Sequence, residues 1–107
     1  MTFSLVRFLA TTIVVVLALP ECPAHIKQQL DANDGSPDSI ACDEVVYQDP
    51  DDQAIICATP PCQREMQSAY DIVPSDCQIT IPLFDITITK AGLKSEAKEL
   101  CGWDLDD

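Results

Sequence analysis

CATPPCQREMQSAYDIVPSDCQITIPLFDITIT, residues 57–89, switches from a helical to a strand-like apolar period, and the switch decides the fold class. In its first half Cys62, Met66 and Tyr70 recur at intervals of four, which places them on one face of a helix. Thr59-Pro60-Pro61 offers a capping residue followed by prolines suited to a first helical turn, so a helix is expected from Pro60 to about Tyr70. Pro74 disfavours helical backbone just before it and ends the segment. Beyond Cys77 the period becomes two. Gln78-Ile79-Thr80-Ile81 and Ile86-Thr87-Ile88-Thr89 read as two strand arms, each with two isoleucines on one face, and Pro82 to Asp85 as their connection.

Working outward, residues 22–32 (CPAHIKQQLDA) set Ile26 and Leu30 one turn apart and run into Asn33-Asp34-Gly35, a short amphipathic helix and its stop. GSPD, residues 35–38, is turn material, and residues 39–46 suggest a second helical piece carrying Ile40, Val45 and Val46. Asp49-Pro50-Asp51-Asp52 combines a cap, a proline and acids that favour a helix dipole, so a helix is expected to start there and end at Cys57. SEAKEL, residues 95–100, forms a closing helix with Gly102 as its stop, followed by an acidic tail over 103–107. The expected fold is mainly α: a small disulfide-rich helical array with one two-stranded β-hairpin.

Residues 1–20 are expected to be a signal peptide. Arg7 supplies a positive flank, and residues 8–19 (FLATTIVVVLAL) form an apolar run of signal-core length. That run falls short of the about 20 apolar residues a membrane span needs. Cleavage between residues 18 and 21 would leave residues 21–107 as one secreted, extracellular domain. All six cysteines lie in that part, and an even number in a short secreted chain implies a closed disulfide framework. Spacing alone leaves about fifteen pairings open. The 18 acidic and 6 basic residues give a net charge of −12, which removal of Arg7 makes more negative. Such a surface repels nucleic acid and anionic membranes, and its plainest role is solubility.

Catalytic and metal chemistry find little footing. No serine sits in a nucleophile elbow, and His25, the single histidine, has no evident partner, so no enzyme activity is expected. Residues 31–35 (DANDG) imitate a calcium loop, but with Gly35 at its sixth position the first and twelfth become Leu30 and Ala41. Helix N-terminal placement explains Asp49, Asp51 and Asp52 without a cation. No metal or cofactor is expected. Asn33 begins no glycosylation motif, and the charged DLDD end is unlike the apolar tail of a lipid-anchor signal.

The last four cysteines, Cys57, Cys62, Cys77 and Cys101, are separated by steps of 5, 15 and 24. Together with the residues between them, this spacing resembles the elicitin family of secreted oomycete proteins. ICATPPC, residues 56–62, resembles the family's M-C-A-S-T-A-C, and VPSDCQITIP, residues 73–82, resembles its N-P-P-D-C-E-L-T-V-P. The likeness covers roughly half of the expected mature chain. It implies pairing of Cys22 with Cys77, Cys42 with Cys62 and Cys57 with Cys101. It also implies short helices and a two-stranded sheet around an apolar cavity, sterol carriage, and elicitation of a plant defence (hypersensitive) response through a plant cell-surface receptor.

Three departures bear on the ligand. Only fourteen residues separate Cys42 from Cys57, where founding members carry a longer loop over the cavity. Gln53 stands where the family's sterol-contacting tyrosine is expected, and Leu93 replaces a second tyrosine. Glu65 replaces an apolar position. The chain therefore resembles an elicitin-like paralogue whose ligand is a sterol or a slimmer fatty acid. Leu30, Ile40, Gln53, Ile56, Met66, Tyr70, Ile81, Ile88 and Leu93 are the expected lipid-binding residues. The apolar members of this set, together with Ile55, Ile79 and Ile86, could line a cavity or equally close on one another as core. The protein would then be a secreted interaction or effector protein on the same scaffold, without sterol binding.

Overall fold

The computed structural model describes residues 19–49 and 51–107. The signal-peptide reading therefore lies, through residue 18, outside the described residues, as does the expected helix-starting Pro50. Among the described residues no helix is long and apolar enough to cross a membrane. The fold is mainly helical: α1 (Ala24–Asn33), α2 (Pro37–Gln48), α3 (Gln53–Cys57), α4 (Pro60–Ile72), strands β1 (Ile79–Ile81) and β2 (Ile86–Ile88), and α5 (Lys90–Cys101). A single 3-10 turn, Pro82–Phe84, joins the strands.

Local chemistry accounts for most boundaries. Ser36 caps α2 by accepting from the Ser39 N–H at 3.1 Å, with Pro37 in the first turn and Asp38 complementing the dipole. The cap of α3 is Asp52, which accepts from the Ile55 N–H at 3.1 Å, so this helix starts later than the Asp49-Pro50 signal suggests. Thr59 precedes Pro60 as expected, yet its hydroxyl donates back to the Ile55 carbonyl at 2.8 Å and does not cap α4. The closing helix is longer than residues 95–100 imply. Thr89 accepts from the Gly92 N–H at 2.9 Å and starts α5 at Lys90. At its far end Gly102 adopts a left-handed φ of 69°, and the Gly102 and Trp103 N–H groups bond to the Lys98 and Ala97 carbonyls.

α4 is the central element and packs against α1, α2 and α5. Its buried face carries Cys62, Met66, Ala69 and Tyr70. They meet Ile26 and Leu30 of α1, Val46 of α2, Ile56 of α3, and Leu93 and Ala97 of α5 in one apolar cluster. Lys90 locks α5 to the end of α4. Its ammonium donates to the Tyr70 carbonyl at 2.5 Å and the Val73 carbonyl at 3.2 Å, and it lies 4.0 Å from the Tyr70 ring centroid.

The strands pair antiparallel in the register Ile79 with Ile88 and Ile81 with Ile86. Glu21 adds a parallel bridge beside Gln78, carried by Cys22 N–H to the Gln78 carbonyl at 2.8 Å and Gln78 N–H to the Pro20 carbonyl at 2.9 Å.

Three disulfides tie these pieces together. Cys22–Cys77 joins the entrance of α1 to that of the hairpin, Cys42–Cys62 joins α2 to α4, and Cys57–Cys101 joins the ends of α3 and α5. They are the pairs that the elicitin resemblance implies. The segment expected as an acidic tail differs from that reading: Trp103 and Leu105 are buried, and only the acids between and after them face solvent. Its period of two places one apolar residue in every second position against the core, so the end of the chain is half core and half charge.

Candidate functional site

A groove of about 400 Å³ runs between α1 and the hairpin. α1 contributes Lys27, Leu30 and Asp31, which share a face because residues three and four apart are neighbours on a helix. Ile79 and Ile81 come from alternate positions of β1 and form the opposite wall, and Leu83 and Phe84 of the 3-10 turn form the lip. The volume lies at the low end of the roughly 300–1,000 Å³ typical of small-molecule sites.

The lip is unusual because hairpin connections are normally polar. Pro82 starts the turn, and Asp85 closes it at a left-handed φ of 52°, donating its N–H to the Pro82 carbonyl at 3.2 Å. This tight geometry leaves the two residues between them at the tip, where Leu83 is 84% and Phe84 48% exposed. Leu30, Ile79 and Ile81 below them are buried. The groove therefore has a packed apolar floor and an exposed apolar lip, with Lys27 and Asp31 also lining it.

A second, shallower depression of about 330 Å³ lies at the N-terminal edge, lined by residues including His25, Ile26, Pro74 and Asp76. Among the described residues no three His, Cys, Asp or Glu side chains are grouped as a metal site.

The expected lipid-binding residues do not converge on one space. Leu30 and Ile81 line the groove. Ile56, Met66, Tyr70, Ile88 and Leu93 are buried in the central cluster, packed on one another. Ile40 lies on the outer face of α2, 54% exposed. Gln53 is also exposed, and its side-chain amide donates to the Leu100 carbonyl at 2.6 Å, tying α3 to the end of α5. Glu65, the charged replacement on α4, is buried and engaged in an interaction of its own.

Ile79, weighed as a cavity or core residue, lines the groove as well, and Lys27, Asp31, Leu83 and Phe84 complete it and are absent from the expected set. The signal that could have found them is Leu83-Phe84, two large apolar residues inside the segment read as the connection between the strand arms.

The titration shifts lie elsewhere, at the C-terminal strap and at an ion pair between α4 and α2. The Tyr70 hydroxyl donates to the Asp107 carboxylate, and this hydrogen bond raises the Tyr70 pKa and lowers that of Asp107, with Lys94 adding to the latter. Gln67 holds the same strap by donating to the Asp106 carbonyl at 2.8 Å and accepting from the Asp106 N–H at 2.9 Å. Arg64 is paired with Asp38 at 2.9 Å, which links α4 to α2 and raises the guanidinium pKa.

No family model matches this chain, and no curated protein or solved structure is significantly similar to it.

Proposed function

We propose that this chain is a secreted, elicitin-like binding protein that holds one slim apolar ligand in the groove between α1 and the hairpin. What carries the reading is the combination of a buried aliphatic floor, Leu30, Ile79 and Ile81, with an exposed apolar lip, Leu83 and Phe84. Covering such a lip with lipid removes apolar surface from water at about 25 cal/mol per Å². A fatty acyl chain suits this groove better than a sterol. The central cluster is closed, and Gln53, at the position expected to meet a sterol hydroxyl, is engaged with Leu100. Elicitation of a plant defence response belongs to the same proposal and rests on the motifs around Cys57–Cys62 and Val73–Pro82.

The second reading is an interaction protein on this scaffold without lipid carriage, and it is favoured by the same closed cluster. Titration of the oxidised mature protein with a fluorescent fatty acid and a fluorescent sterol separates them. Saturable uptake of the fatty acid, displaced by unlabelled acyl chains, supports the lipid reading. Failure to bind either probe leaves the interaction reading. Infiltration of leaves with oxidised protein, against a reduced and alkylated control, tests the defence response.

A further inference from the structure

Resting on the lipid-binding reading, we propose that the groove selects a single-chain lipid with a zwitterionic phosphocholine head. At the edge of the groove, Lys27 and Asp31 stand four residues apart on α1. Side chains so spaced begin about 5–6 Å apart at their Cβ atoms. That separation suits a head group whose phosphate and ammonium are joined by a two-carbon linker. The phosphate accepts from the Lys27 ammonium, and the quaternary ammonium faces the Asp31 carboxylate. Asp31 already takes part in one interaction, but a carboxylate has about four lone-pair sites and retains its negative charge toward a second cation.

Phe84 adds a reason to prefer choline. It is the aromatic member of the lip, half exposed, and aromatic faces attract quaternary ammonium groups. The net charge of −12 works in the same direction, because it opposes an anionic carboxylate more than a neutral zwitterion. The acyl chain lies on Leu30, Ile79 and Ile81, with Leu83 closing over it. The occupant is a monomeric lipid taken up singly, rather than a bilayer surface.

The test uses three amphiphiles with the same twelve-carbon chain: dodecylphosphocholine, dodecanoate and dodecyltrimethylammonium. Each is titrated calorimetrically into the oxidised protein below its self-association concentration. In about 0.15 M salt, which screens the field of the whole protein, dodecylphosphocholine is expected to bind about tenfold more tightly than dodecanoate, which lacks the ammonium contacts with Asp31 and Phe84, and about threefold more tightly than dodecyltrimethylammonium, which lacks only the phosphate contact with Lys27. Lys27→Gln is expected to remove the preference over dodecyltrimethylammonium, and Asp31→Asn much of the preference over dodecanoate, with the far-ultraviolet circular dichroism unchanged in both.

Equal affinities for the three heads, or a ratio that survives both substitutions, would overturn the head-group assignment and leave lipid binding standing. Saturable binding of none of the three overturns the lipid reading as well. Sedimentation with phosphatidylcholine vesicles, without uptake of dodecylphosphocholine, overturns the proposal in favour of bilayer docking through Leu83 and Phe84.

Discussion

Leu83 and Leu93 are identical side chains ten residues apart, one 84% exposed at the hairpin tip and the other fully buried between helices. Leu93 sits in the apolar cluster to which all five helices contribute. Around Leu83 there is a tight turn on one side and an open groove on the other. In a chain this small, apolar character therefore serves two ends. In the helices and the strand arms it goes into stability, and at the hairpin tip, through Leu83 and Phe84, it stays exposed.

The largest effect is expected from removing what confines the helical half. The three bridges close intervals of 55, 20 and 44 residues. On the chain-entropy account each contributes about 3–4 kcal/mol, and together they are comparable to the entire stability of a small domain. Excess reductant is therefore expected to unfold the protein at ordinary temperature. Retained helical circular dichroism would show that the apolar cluster suffices alone.

Next in size is the leucine pair itself. Leu93→Ala leaves a void among packed helices and is expected to cost about 2–5 kcal/mol, read as a lowered denaturation midpoint. Leu83→Ala is expected to change stability by less than about 0.5 kcal/mol. Replacing Leu83 and Phe84 together is expected to weaken acyl-chain binding by about tenfold or more, the loss of the roughly half of each exposed side chain that a ligand would cover. Should Leu83→Ala destabilise as much as Leu93→Ala, the hairpin tip would belong to the core and not to a site.

A smaller effect is expected at Gly102, whose left-handed φ of 69° ends α5 with open space around the missing Cβ. Gly102→Ala meets no atom there, so its cost is conformational alone, about 1 kcal/mol, measurable by thermal denaturation.

The smallest effect comes from pH acting on the C-terminal strap. Asp107 has its pKa lowered, first by the Tyr70 hydroxyl and then by Lys94, so the contact stabilises above the ordinary carboxylate pKa. It is lost as pH falls through the lowered value. Tyr70 has its pKa raised by the same bond, so its contribution is present below the ordinary phenol pKa and disappears as pH rises through the raised one. Trp103, the single tryptophan, reports on the strap. Its emission is expected to shift toward that of exposed indole at both extremes, and Asp107→Asn should flatten the acid limb. An acid limb identical in that variant would assign the transition to other carboxylates.

Much of the architecture is legible in residue patterns because it depends on neighbours in the chain. The interval of four through Cys62, Met66 and Tyr70 names a helix, and the alternation through Ile79, Ile81, Ile86 and Ile88 names two strands. The α5 start is harder to read. Gly92 interrupts the helical composition, and Thr89 acts as its cap only once the chain has turned out of β2. The end of the chain looks like a plain acidic tail because five residues are too few to reveal that Trp103 and Leu105 alternate into a surface supplied by other elements.

The candidate site is less legible than the fold. Apolar identity marks a residue as leaving water, but not whether protein or ligand will cover it. Composition and local order thus determined a cysteine-rich, acidic chain of short helices with one hairpin. Only the tertiary structure decided that Met66, Tyr70 and Leu93 close on one another while Leu83 and Phe84 stand over a groove with Lys27 and Asp31. The physical reason is distance along the chain: periodicity reports which face of an element is apolar, whereas cavities arise between elements whose spacing is set by packing and by bridges across 20 to 55 residues.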